Sequence, residues 1–116
     1  MMKSVLCLPV RGVGRIVRQS GGLHRYGQVV LIVESAPAEL SFSWEVTARQ
    51  IPELFKDAVY RGVSRSFEPG AMFGSYVSDG LRVRIIDGSY HEQDSNEGSF
   101  EIAATLALKD ALYMED

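Results

Sequence analysis

The densest run of chemically capable side chains is His91-Glu92-Gln93-Asp94-Ser95. A histidine in such a group can act as a general base, with a carboxylate to orient it. Chain neighbours rarely converge on one reacting atom, however, and catalysis depends on that convergence. Asp94 also has a simpler use. With Glu97 three residues on, it has the spacing of a capping box and predicts the start of a helix. A zinc site would need several Cys or His ligands at suitable spacing. Cys7, His24 and His91 lie far apart and are three in number, which argues against one.

Nucleotide-binding signatures are missing too. Gly12-Val13-Gly14 lacks the third glycine and the strand-before, helix-after setting of a dinucleotide loop. No Gly-Lys-Ser or Gly-Lys-Thr closes a phosphate-binding loop, which a P-loop GTPase or ATPase requires. Two polar loops remain. One is Gln19-Ser20-Gly21-Gly22-Leu23-His24-Arg25, and the other runs from Gly88 through Ser89, Tyr90 and His91 to Ser95. Each follows the end of a strand pattern, so both can project from one end of a sheet. Their small polar residues, backbone N–H groups and histidines suit contact with RNA backbone and base edges better than an enclosed substrate.

The elements that must carry these loops follow from periodicity. Ile16 and Val17 lead into a turn at Arg18-Gln19-Ser20-Gly21-Gly22, whose glycines allow positive φ. Tyr26 to Val33 is rich in Val, Ile and Leu, which predicts a strand and makes a hairpin with a longish loop. Phe42, Trp44 and Val46 alternate with Ser41, Ser43, Glu45 and Thr47, the pattern of a strand with one buried face. Pro52 suits the first turn of a helix. Leu54, Phe55, Ala58, Val59 and Val63, with Gly62 on the same stripe, give that helix an apolar side, and Glu68-Pro69-Gly70 ends it. Leu81, Val83 and Ile85 alternate with Arg82 and Arg84 in a fourth strand, with those arginines facing Glu45 across the sheet, and Asp87-Gly88-Ser89 turns the chain. Asn96 to about Tyr113 reads as an Ala- and Leu-rich helix. Trp44, Phe55, Phe67 and Phe100 read as core. The order β-β-β-α-β-α predicts a single α+β domain, with two helices on one face of a four-stranded sheet.

Length and charge agree. The 116 residues are the size of one domain, and 46% hydrophobic with 23% charged residues excludes a disordered, collagen-like or coiled-coil chain. No apolar run nears the roughly 20 residues that span a bilayer. The lone Cys7 cannot form an internal disulfide, which fits a reducing, cytoplasmic setting. Up to Val33 there are five basic residues (Lys3, Arg11, Arg15, Arg18, Arg25) and no acidic ones; the remainder carries −8. That is a basic tip on an acidic body, not a uniformly basic nucleic-acid binder.

Arg18-Gln19-Ser20-Gly21-Gly22 followed by Tyr26-Gly27-Gln28-Val29-Val30 resembles the start of domain IV of translation elongation factor G. Ile51-Pro52 with its helix is similar to that family, as are Asp87-Gly88-Ser89-Tyr90-His91-Glu92 with Asp94-Ser95, and Phe100 with the helix after it. Motifs in this order and spacing cover about 15–116; residues 1–14 read as a leader or linker.

The resemblance implies a β-α-β core with a left-handed crossover, as in a small-subunit ribosomal protein. It implies tip loops that reach the decoding region and contact the tRNA–mRNA duplex during translocation. GTP and Mg would be bound by a separate domain, so this chain would be no enzyme and would carry no cofactor or metal of its own. By motif match the ribosome-contacting residues are Arg18, Gln19, Ser20, Gly21, Gly22, His24, Arg25, Ser89, Tyr90 and His91, with His91 a contact to RNA and not an acid or base. Partners would be the small ribosomal subunit and the factor's other domains, with no membrane and a monomeric state. Leu23-His24-Arg25 departs from the family's Arg-Gly-Gln, and the strand before Asp87 is one residue longer, with Gly80 marking a bulge. These departures keep open a ribosomal-protection or recycling paralogue, or a stand-alone module binding RNA or protein.

Overall fold

The computed structural model describes residues 8–20 and 23–113. Four strands, β1 (Val10–Ser20), β2 (Leu23–Ser35), β3 (Ser41–Trp44) and β4 (Leu81–Ser89), form one sheet in the order β1-β2-β4-β3. β1 and β4 both run antiparallel to β2, and β3 runs parallel to β4. A 3-10 turn over Glu53–Phe55 leads into α1 (Lys56–Arg65), which connects β3 to β4. α2 (Glu97–Leu112) closes the chain's fold. The domain is the expected α+β arrangement of four strands and two helices.

Register explains why one face of the sheet is dry. Gly12, Leu31, Ile85 and Trp44 lie side by side across the four strands, and Val10, Val33, Val83 and Phe42 form the next row. Leu31, Val33, Val83 and Ile85 are fully buried there. Tyr60 of α1 stacks on Phe42 at 4.2 Å between ring centroids and meets Trp44 edge-on at 5.8 Å. Phe55 stacks on Phe100 of α2 at 4.9 Å. Both helices therefore cover the same face. No helix among the described residues is long and apolar enough to cross a membrane.

α2 sits on β1 at backbone distance. A Cβ added to Gly14 would lie 2.0 Å from the Ala103 carbonyl oxygen and 2.3 Å from the Ala107 nitrogen. One added to Gly12 would lie 2.1 Å from the Ala107 carbonyl oxygen. Here glycine serves close approach, and Ala103, Ala107 and Ala111 present the matching small face at helical spacing. This changes where β1 begins. Its pattern becomes extended at Arg15, yet the strand starts at Val10, because the two glycines are not breaks but seats for a helix. On the outer edge, the Val13 N–H donates to Asp110 Oδ2 at 2.9 Å.

Other boundaries shift for similar reasons. The β1–β2 ladder runs to Ser20 opposite Leu23, so the hairpin is tight where the sequence predicts a longish loop. Arg18, Gln19, His24 and Arg25 are ladder residues. In β4 the irregularity is not at Gly80, whose φ is +86°, but at Ile86: Leu31 pairs with Ile85 while Val30 pairs with Asp87. The extra residue resets the alternation, so Asp87 and Ser89 leave the helix side and the strand continues through the expected turn. The cap of α2 is Asn96, whose side chain accepts from the Ser99 N–H, and not Asp94.

On the open face of the sheet, Arg84 grips Glu45 through Nε and Nη2, both at 2.9 Å, and Ser43 donates to the same carboxylate. These bonds, Arg84 first, pull the Glu45 carboxyl down to about 2. Arg82 pairs with Glu34 rather than Glu45.

Candidate nucleic-acid interface

β1, β3 and β4 all point the same way, so the chain leaves each of them at one end of the sheet. The β1–β2 hairpin and the β4–α2 connection meet there. Gly21 and Gly22 lie outside the described residues, as does the Ser20 side chain. The two segments are joined by main-chain bonds: the Tyr26 N–H donates to the Asp94 carbonyl at 3.0 Å, and Ser95 Oγ donates to the Tyr26 carbonyl at 2.8 Å. Residues 94–95 thus take up the edge of β2 where β4 has ended.

The second loop also closes on itself. The His91 N–H donates to Ser95 Oγ at 2.9 Å, and the Ser95 N–H returns to the His91 carbonyl at 3.0 Å. This clasp leaves the His91 side chain 53% exposed at the apex. The Asp94 carboxylate, only 13% exposed, turns toward the hairpin. Gln19 Nε2 donates to its Oδ2 at 3.5 Å, and His24 Nδ1 lies 3.9 Å from its Oδ1. A helix-capping role is therefore replaced by a bridging one. Sequence spacing suggests the former, and no sequence signal marks the latter.

Two of the residues expected to make contacts act as supports. Ser89 donates to Gln28 Oε1 at 2.9 Å, which makes the Tyr26 hydroxyl the donor in the 2.7 Å bond between Tyr26 and Ser89. Tyr90 packs against the hydrophobic core. His91, His24, Gln19 and Arg18 are exposed, and Arg25 is half-buried beside Gly98 in the first turn of α2. At that position the helix dipole gives its guanidinium no partner and adds to the local positive potential.

The guanidinium groups divide by position. Arg61 and Arg65 pair with Glu101, Arg82 with Glu34, and Arg84 with Glu34 and Glu45. Among the described residues, Arg15, Arg18 and Arg25 on the hairpin form no ion pair. Neither does Arg49, in the connection that leaves β3 at the same end; Arg11, at the far end of β1, is the exception to this polarity. Arg15 instead lies over the Tyr26 ring, 5.6 Å from its centroid. Sequence reasoning does not single out Arg49, because only topology brings it to this end. Unpaired guanidinium groups beside an aromatic ring and exposed imidazoles are equipped to meet phosphate and bases. No group of three or more His, Cys, Asp or Glu among the described residues could hold a metal ion.

Comparison with known proteins identifies the family. The family model for elongation factor G, domain IV, matches residues 5–114. The chain is 40% identical over 114 residues to elongation factor G of Petrotoga mobilis, covering 95% of this chain and 16% of that protein. It is 36% identical over 107 residues to elongation factor G of Aquifex pyrophilus, covering 90% of this chain and 15% of that protein. A crystal structure of a Thermus thermophilus protein superposes with a TM-score of 0.78 at 35% identity, over 89% of this chain and 15% of that one. The chain spans about one sixth of the length of the curated relatives it matches. With a polar, basic end built from two clasped loops and a match to domain IV along nearly its whole length, the chain belongs to the elongation factor G family.

Proposed function

We propose that this domain is the ribosome-engaging tip of an elongation-factor-G-like translation factor, entering the decoding region of the small subunit to promote tRNA–mRNA translocation. The observation that carries the reading is the joining of two distant loops at Asp94 and Tyr26, at the end where arginines lack carboxylate partners among the described residues. Such an end can approach a phosphate-lined duplex without first breaking internal ion pairs. Its clasped loops can hold the exposed His91 and Gln19 in place during contact. GTP with its Mg belongs to a separate domain of such a factor, and cytoplasmic ribosomes are the setting this role requires. Family membership supports the reading.

The test uses an elongation factor G whose domain IV is replaced by this chain. His91→Ala should slow translocation while leaving GTP turnover nearly unchanged. A translocation rate equal to that of the unmutated chimera would overturn the tip assignment. Loss of GTP turnover together with translocation would place His91 outside a purely local contact.

A further inference from the structure

His91 is held by its loop through the ring nitrogen nearer the backbone. The N–H groups of Gln93 and Asp94 both point at Nδ1 from 3.3 Å. A ring nitrogen that accepts from two amides presents its lone pair to them, so the proton of the neutral ring belongs on Nε2. Asp94 Oδ2 lies 3.7 Å from the same Nδ1, a distance at which the two could form an ion pair. That pair would need a proton on Nδ1 facing two donor amides. The amides decide the matter, because the carboxylate is beyond hydrogen-bond distance of the ring and is already engaged by Gln19.

Resting on the ribosomal reading above, we propose that His91 meets RNA as a neutral, directional donor. Its Nδ1 is used to cap the loop, and its Nε2–H is offered outward to an oxygen acceptor of RNA. Attraction between an imidazolium and phosphate is then not what this position supplies. A doubly protonated ring would turn an N–H toward the Gln93 and Asp94 amides and lose both of the bonds that aim it. The arginines of the hairpin supply the charge, and His91 supplies the direction. Specificity follows, since a fixed N–H rewards one acceptor position over its neighbours far more than a mobile charge does.

Long-range proton–nitrogen correlation spectra of the 116-residue chain near neutral pH read the tautomer directly. The expected result is a bare Nδ1 and a protonated Nε2; a proton on Nδ1, alone or with one on Nε2, overturns the inference. Two variants separate the functions of the ring. His91→Asn keeps an acceptor near Nδ1 without the distal donor, and His91→Gln keeps a donor near Nε2 without the near acceptor. Asn should preserve slow exchange of the Gln93 and Asp94 amides yet slow translocation in the chimera by about tenfold, the effect of losing one hydrogen bond to a charged acceptor. Gln should speed that exchange while retaining more of the rate than Asn. An Asn variant as fast as the parent refutes the donor role. If the tautomer is as stated but neither Asn nor Ala alters translocation, the ribosomal reading falls and takes the RNA acceptor with it.

Discussion

Gly14→Ala is the sharpest probe of how this sheet holds its helix. The added methyl would sit 2.0 Å from the Ala103 carbonyl oxygen and 2.3 Å from the Ala107 nitrogen, both atoms of the α2 backbone. No rotamer change can move them, so β1 and α2 must separate along their contact. Overpacking a core typically costs about 1–3 kcal/mol, and a clash with backbone on both sides belongs at about 3. For a domain of this size that corresponds to a fall in melting temperature of roughly 12 °C. Gly27→Ala is the control: its nearest neighbour would be the Ser99 carbonyl oxygen at 3.3 Å, which a small shift relieves. Its expected effect is within about 1 kcal/mol of zero. Melting of both variants by circular dichroism, with the parent alongside, measures the difference. Ala107→Gly should not rescue Gly14→Ala, because the opposing atoms are backbone and not the Ala107 methyl. A Gly14→Ala protein melting within about 2 °C of the parent would refute the argument that this contact is made at backbone distance.

Two smaller effects follow from bonds described above. Asn96→Ala removes the acceptor for the Ser99 N–H, should destabilise α2 by about 1 kcal/mol in urea unfolding, and should speed exchange of the Ser99 amide. Asp94→Ala should leave that amide unchanged, and a reversed result would restore Asp94 as the cap. The Glu45 carboxyl is held at about 2, against an ordinary value of 4.5, by Arg84 and then Ser43. A lowered folded-state value means the clasp is complete above about pH 4.5 and is lost as pH falls through about 2. A carbon-13 titration of Glu45 with its midpoint near 4.5 would show that the Arg84 bonds do not form in solution.

Much of the fold is legible because its strands alternate cleanly. Leu81, Val83 and Ile85 against Arg82 and Arg84 fix a face by their alternation alone, and Ala58, Val59 and Val63 do the same for α1, whereas Leu54 of the expected stripe is exposed in the 3-10 turn before it. The alternation fails at the bulge. Continued through Ile86, it would turn Asp87 toward the helices, and ending the strand there is the natural expectation. Ladder pairing of Ser89 with Gln28 can be seen only with the partner strand in place. Gly12 and Gly14 mislead for a related reason. In one dimension they look like interruptions, and their meaning depends on a helix almost a hundred residues later. The interface divides in the same way. The histidines and the hairpin arginines can be picked out by type and motif, whereas the bridging carboxylate of Asp94 and the position of Arg49 are products of topology. Local composition names the groups equipped to meet a ligand but not those that hold them.

β1 forms one border of the sheet, with a single neighbour, and a long unpaired border invites another strand to join it. The fold answers in two ways. Asp110 reaches from α2 to occupy the Val13 N–H, so one of the outward donors is already taken. Arg11, Arg15 and Arg18 line the same strand without carboxylate partners among the described residues. Two such borders laid side by side would bring guanidinium groups of like charge together, which is unfavourable across strands. The positive charge that suits this segment to a polyanion therefore also discourages the domain from aggregating with itself through its open border.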